Sequence, residues 1–599
     1  MSLRLFRRLP FIRLTTSPSR GVSSVSGPST ASSNRFLRYG LLSGGLLGAS
    51  LYIGHNLSTI HADHAETRVT ESRRPLTPIS SLIRSYAVYT MCSFPALVDR
   101  SPSILAFLTS VPGLKQITEA FVRRTFFAQF VGGDTAHECV PLLESLRAEN
   151  KGTLFAYSVE VDEAEATGGG SKGSVPVHKQ IVQEMIRSID VAADFEDQRA
   201  SGSSSAAGRR TWVAVKLSAL LPDARSLVNL SVYLTKTRPS RSPAMAFPGY
   251  PRASDLDCLT SDQIKGESPL TEQDIHDIKD LHSDLVKICS RAQERDIRII
   301  IDAEYRHALF FLSLHGTTPD EMSDGTQLVS SASSPAIDAM TLSLMRQFNK
   351  LPDRSSSECT LVRPLIYATF QAYLRRNLEY LEQSLKDAKA GNYALGVKLV
   401  RGAYHPHETI AHETAAAAAA LSGPRNLHSR TSLSISPDPH PPVWSTKPET
   451  DACYNASVHL IISSIRDDIA AHQPVPTVGV LFGSHNWESC DLILEELVKQ
   501  GLACREKQDG REVVSMGDEV VARVTLGQLF GMGDALTNYL VDKTRSSSPF
   551  VIKYVPYGAL SEVMPYLSRR AIENASVLGG HAAAERKRAW AEIRTRLFG

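Results

Sequence analysis

ALGVKLVRG, residues 394–402, runs through aliphatic residues into Arg401 and Gly402. Seven other runs share its form: LFAYSVE at 154, WVAVKLS at 212, IRIIIDAE at 297, PLIYATFQ at 364, TVGVLFGSHN at 477, RVTLGQLFG at 523 and FVIKYVPYG at 550. Each has strand length and is nearly continuously apolar, and longer helical patterns separate them. Such runs are strands covered on both faces, as in a parallel sheet. Eight of them predict an α/β chain folded as a closed (β/α)8 TIM-like barrel.

In such a barrel the chemistry collects where strands end and loops begin. The polar residues closing these runs are Lys216, Asp302 with Glu304, Gln371, Lys398 with Arg401 and Tyr404, His485 with Asn486, Gln528, and Tyr554. Polar residues end strands in most proteins, so one such end means little. Seven converging on one rim predict a site.

After the last run comes GALSEVMPYLSRRAIENASVL. Leu560, Val563, Met564, Leu567 and Ala571 fall at helical spacing and make an apolar stripe expected to face the barrel wall. Tyr566, Arg569, Arg570 and Glu573 share another face. An isolated Arg-Arg pair is usually a solvated basic face. Beside a barrel rim, two planar guanidinium forks instead suit a carboxylate held from both sides.

The whole-chain figures set the frame. At 599 residues and 42% hydrophobic content the chain can bury a large core. Lys+Arg 65 against Asp+Glu 63 leaves a net charge of +2, so no global field points to nucleic acid. Eight cysteines without C-x-x-C spacing imply neither a disulfide framework nor a zinc site. They read as buried or free thiols of a reducing compartment.

The first acidic residue is Asp63, preceded by Arg4, Arg7, Arg8, Arg13, Arg20, Arg35 and Arg38 among serines and small apolar residues. Residues 1–62 therefore read as a mitochondrial targeting segment. Within it, Tyr39 to Ile53 is uncharged but shorter than the ~20 apolar residues a membrane span needs. It reads as a targeting or membrane-contacting stretch. Residues 63–150 show helical periodicity and form a helical lead-in, and 151–585 form the barrel. Ser-, Pro-, Gly- or Ala-rich stretches at about 164–209 (Ala164 to Ser174 and Ala200 to Arg209), 239–268 and 421–448 read as low-complexity insertions. The Ala415 to Ala420 run reads as helix, and 586–599 as a C-terminal tail.

The motifs VKLSAL at 215, IDAE at 301, VKLVRGAY at 397, SHN at 484, GQLFGMGD at 527 and YLSRRAIEN at 566 closely resemble the proline dehydrogenase family, of the monofunctional mitochondrial type. The resemblance runs in order from about 150 to 580. It implies noncovalent FAD at the strand ends and oxidation of L-proline to Δ1-pyrroline-5-carboxylate, with electrons passed to a membrane quinone. It also implies a place on the matrix side of the inner mitochondrial membrane, peripherally attached. Residue by residue, it implies flavin or phosphate contacts for Gln371, Lys398, Arg401, His485 and Asn486, with Leu399, Val400, Tyr404, Ser484 and Glu573 beside them and a close backbone approach at Gly402. Arg569 and Arg570 match the pair that binds the substrate carboxylate, and Lys216 completes that positive pocket. Tyr554 and Tyr566 match its aromatic walls, and Asp302 the acidic residue beside the substrate amine. Lys398 stands where many bacterial relatives have arginine, His405 where they have tryptophan, and Ser484 where threonine is familiar.

Three rivals stand beside this reading. Oxidation of 4-hydroxyproline would use the same machinery, but the phenol of Tyr554 fills room that the resemblance implies is larger in hydroxyproline-oxidising relatives. An inactive scaffold would lack clamp or flavin residues, and all are present. A metal-dependent hydrolase using Asp302, Glu304 and His485 lacks the further histidines a metal would need. No G-x-G-x-x-G follows a strand and opens a helix, which disfavours a nicotinamide cofactor.

Overall fold

The computed structural model describes residues 77–159, 175–199, 208–238, 245–260, 269–304, 335–352, 364–405, 408–413, 436, 438–472, 475–508, 510–576 and 579–598. The targeting segment, its stretch 39–53 and the 415–420 run lie outside these residues.

The described residues begin with α1 (Ile79–Cys92), α2 (Pro95–Ser110), α3 (Leu114–Val122) and α4 (Val140–Ala148). There follow β1 (Lys151–Tyr157), α5 (Val177–Asp197), β2 (Thr211–Val215), α6 (Arg225–Thr237), α7 (Glu272–Glu294), β3 (Ile299–Ile301), α8 (Pro335–Phe348), β4 (Ile366–Gln371), α9 (Asn377–Ala390) and β5 (Leu395–Val400). Next come α10 (Lys447–Ala470), β6 (Val478–Gly483), α11 (Trp487–Lys499), β7 (Ala503–Gln508), β8 (Arg511–Met516), α12 (Asp518–Arg523), β9 (Val524–Leu529), α13 (Asp534–Lys543), β10 (Thr544–Arg545) and β11 (Val551–Tyr557). The chain closes with α14 (Leu560–Ser576) and α15 (Gly579–Phe598).

Eight strands close a barrel in the order β1-β11-β9-β6-β5-β4-β3-β2, and every neighbouring pair is parallel. All eight apolar runs are barrel strands. Alternation sorts their side chains. Phe155, Val213, Ile299, Val397, Leu399, Val480 and Leu526 face outward into the main core under the helices. Trp212, Tyr367, Leu481 and Ile552 fill the interior, with Tyr554 packed against them. The rings of Trp212 and Tyr367 lie 5.1 Å apart. Glycines make room for them: a Cβ on Gly479 would come within 2.6 Å of the Tyr367 hydroxyl.

The structure corrects several expectations. The apolar stripe of α14 does not face the barrel wall. Leu560, Val563, Leu567 and Ala571 pack with Val88, Cys92, Val98, Val122, Phe127 and Phe130, so the stripe is buried by the lead-in helices. The expected C-terminal tail is helical over 586–598: it completes α15, which packs along α1, with Trp590 5.4 Å from Tyr86. Helix α5 fills the middle of 164–209, between the two Ser-, Gly- and Ala-rich stretches, and the other two insertions are partly ordered. In the second, Phe247 is buried and Asp255 pairs with Arg238 at 2.5 Å. In the third, Val443 is buried and Thr446 forms a capping box with Glu449 at the start of α10. A small sheet, β10-β8-β7, has no apolar signature in the sequence, because ACREKQ is dominated by charged and polar residues. Among the described residues, seven cysteines are unpaired, no helix is long and apolar enough to cross a membrane, and no cluster of His, Cys, Asp and Glu could hold a metal ion.

Candidate active site

Strand alternation points Lys398 of β5 and Tyr554 of β11 into the barrel, and both meet Asp302 at the end of β3. The Lys398 Nζ donates to Asp302 Oδ1 at 2.5 Å, and the Tyr554 hydroxyl to Asp302 Oδ2 at 3.0 Å. The Lys398 ammonium also lies 5.3 Å from the centre of the Tyr554 ring. Burial pushes the Tyr554 hydroxyl well above the ordinary range, and the charge of Asp302 adds to it. Asp302 thus serves a cation and a neutral donor at once.

Helix α14 brings its polar face to the same place. Tyr566 and Arg569 both act electrostatically on Tyr554. Arg569 donates to the Tyr404 hydroxyl at 2.6 Å, which ties the helix to the loop after β5. The two arginines do not behave alike. Arg570 is buried, pairs with Glu573 at 2.7 Å, and lies 4.9 Å over the Tyr566 ring. Glu573 is thus the counter-ion of Arg570.

Lys216 follows Val215, whose carbonyl accepts from the Asp302 amide at 3.0 Å, so Lys216 and Asp302 leave neighbouring strands side by side. Glu304 accepts from the amides of Leu217 at 2.6 Å and Ser218 at 3.1 Å, and from the Ser218 hydroxyl. A cavity behind β3 and β4 is lined by Asp302, Glu304, Asp338, Gln371, Arg376 and Asn377.

The other strand-end residues are held by one another. Arg401 reaches Asp451 at 2.7 Å, the Ser484 hydroxyl at 2.9 Å and the Ser489 hydroxyl at 2.8 Å. Asn486 caps α11 by accepting from the Ser489 amide at 2.8 Å. His485 Nε2 accepts from the Leu529 amide at 3.1 Å, which makes Nδ1 the protonated nitrogen of the neutral ring. Gln528 is buried and donates to the Ser484 carbonyl at 3.2 Å, bracing the loop from below. Leu399 is fully buried in the outer core, so only its main chain can serve the mouth. Val400 lines the barrel opposite Gly483. Gly402 has φ +112°, and a Cβ there would stand 1.9 Å from the Tyr373 ring. Packing alone therefore demands glycine at this position.

Sequence reasoning missed Asp451, Ser489 and the bracing role of Glu304. The first two sit in helices far along the chain from Arg401, and no spacing rule links them to it.

The residues at the mouth fit the flavin that the motifs imply. Lys398, Arg401 and the Nδ1–H of His485 form a donor set on β5, β6 and their loops, which suits the carbonyl and phosphate oxygens of a flavin nucleotide.

Comparison with known proteins gives one family. A model described as proline dehydrogenase matches residues 176–421 and 432–582. Proline dehydrogenase 1, mitochondrial, of Dictyostelium discoideum is 27% identical, over 86% of this chain and 73% of that protein. Hydroxyproline dehydrogenase of Xenopus laevis is 25% identical, over 86% and 87%. Among solved structures, proline utilization A of Bdellovibrio bacteriovorus, inactivated by N-propargylglycine, is similar at 14% identity and a TM-score of 0.49, over 87% of this chain and 43% of that one. The chain thus spans less than half of that larger protein. With the family model covering most of a closed parallel barrel and both flanks of its mouth, the chain belongs to the proline dehydrogenase family.

Proposed function

We propose that this chain oxidises L-proline to Δ1-pyrroline-5-carboxylate with noncovalently bound FAD. The observation that carries the reading is Asp302 joining Lys398 and Tyr554 inside the barrel mouth, with Arg569 and Tyr566 beside them. A bound flavin supplies the two-electron acceptor. The protein's part is to bind, orient and settle charge. Arg569, Arg570 and Lys216 hold the substrate carboxylate, Tyr554 and Tyr566 wall the ring, and Asp302 faces the amine. Lys398, Gln371, Arg401, Tyr404, Ser484, His485, Asn486 and Glu573, with the main chain of Leu399, Val400 and Gly402, serve the cofactor side. Lys398 and Arg401 place positive charge where electron density would accumulate.

The acceptor in this reading is a membrane quinone, reached by peripheral attachment on the matrix side of the inner mitochondrial membrane. Exposed apolar residues support a lipid contact. Leu114, Ile117 and Phe121 fall at i, i+3 and i+7 on α3, with Ile117 67% exposed, and Phe107 of α2 is 66% exposed. Exposed Arg100, Lys115 and Arg124 flank them, which suits an anionic bilayer.

Turnover of proline and 4-hydroxyproline by the flavin-loaded protein, with a soluble dye and with a quinone, tests the reading. A higher kcat/KM for 4-hydroxyproline would reverse the substrate assignment, and no proline turnover with either acceptor would end it.

A further inference from the structure

We propose that Glu304 is a positioning residue that fixes the direction of Lys216. The chain leaves β2 through Lys216 and at once enters a tight turn over Ser218–Leu220. Turns of this kind expose amides that need acceptors. Here one carboxylate takes them: Glu304 Oε1 accepts from Leu217 and Ser218, while Oε2 accepts from the Ser218 hydroxyl. Three bonds to one side chain make a clip that a residue without head-group oxygens cannot copy.

The clip acts on Lys216 from its C-terminal side. From the N-terminal side, Lys216 is held by the β2–β3 ladder, where the Asp302 amide donates to the Val215 carbonyl. Leu217 is fully buried and anchors the turn. Lys216 therefore stands between two fixed points, one of them made by Glu304. Burial pushes the Glu304 carboxyl up, while the Ser218 and Leu217 bonds and the charge of Lys216 pull the other way. Lys216 and Glu304 thus sense each other electrostatically as well as through the main chain.

This inference rests on the reading that Lys216 binds the substrate carboxylate, so its test separates the two. A double-mutant cycle on the flavin-loaded enzyme compares E304A, K216A and the double variant. E304A is expected to raise the proline KM about tenfold with kcat within about threefold. In the K216A background, E304A should add less than about twofold to KM. Additive effects on KM would overturn the proposal. Amide hydrogen exchange supplies the second readout: Leu217 and Ser218 should exchange faster in E304A, and unchanged protection there would overturn the proposal whatever Lys216 does. If K216A leaves the proline KM unaltered, the substrate role of Lys216 falls, and faster exchange in E304A still supports the clip. Should E304A not fold, S218A removes one donor of the clip, and the same cycle and exchange measurement apply.

Discussion

The Tyr554 hydroxyl reaches across the barrel to Asp302, 252 positions away in sequence, at 3.0 Å, while the other oxygen of the same carboxylate takes Lys398. Removing the carboxylate and removing the phenol should therefore differ. Y554F leaves the Asp302–Lys398 pair intact, whereas D302A leaves a half-buried ammonium without its counter-ion. D302A is expected to lower kcat/KM for proline about 100-fold and Y554F about tenfold. Steady-state kinetics check the order, and equal losses would contradict it.

Arg569→Met removes the one α14 cation that bonds the loop after β5. A charge-assisted bond is worth about 1.5–3 kcal/mol, so the proline KM should rise about 10- to 100-fold. Flavin absorbance per protein should stay unchanged. An unaltered KM refutes the clamp.

Lys398→Ala should act on the cofactor side. Loss of the cation is expected to shift the flavin midpoint potential downward, since the reduced form loses stabilisation. Potentiometric titration of wild type and variant measures this, and an unmoved potential counts against the assignment.

Gly402→Ala should damage folding before chemistry. The position combines φ +112° with a Tyr373 ring 1.9 Å from any Cβ. Backbone strain of about 1–3 kcal/mol and overpacking of similar size add together. Urea unfolding should show the loss. G402A/Y373A should recover only the packing share, because the φ strain remains.

Glu408 gives a pH dependence. It is buried, its Oε1 has no hydrogen-bond donor among the described residues, and burial pushes its carboxyl up to about 8. The folded state thus holds a proton that the unfolded chain releases near pH 4.3. Stability from this group is complete below that value and is lost as pH rises towards 8, at about 1.4 kcal/mol per unit. Between pH 5 and 8 the wild type should lose stability more steeply than E408Q. Parallel slopes in chemical denaturation would disprove it.

Much of this protein could be read from one dimension. The eight strands were legible because a strand buried on both faces must be apolar along its length, and that pattern survives without knowledge of its neighbours. The strand-end position of Lys216 and Asp302 followed from the same runs, whereas Lys398 and Tyr554 stand inside β5 and β11 and not at their ends. What lay between them did not. Stretches rich in Ser and Pro read as expendable, yet Phe247 and Val443 within them are buried, because a single apolar side chain in polar context leaves no period to detect.

Sequence by itself determined the barrel, its rim and the paired arginines of α14, since periodicity and spacing are local properties. Only the tertiary structure decided which rim groups meet. It joined Asp302 to Lys398 and Tyr554, tied Arg569 to Tyr404, set Asp451 against Arg401 and turned the stripe of α14 towards the lead-in helices. The reason is physical: an ion pair or a packed face depends on distance in space, and barrel closure brings together residues 50 to 252 positions apart for which no local pattern in the chain exists.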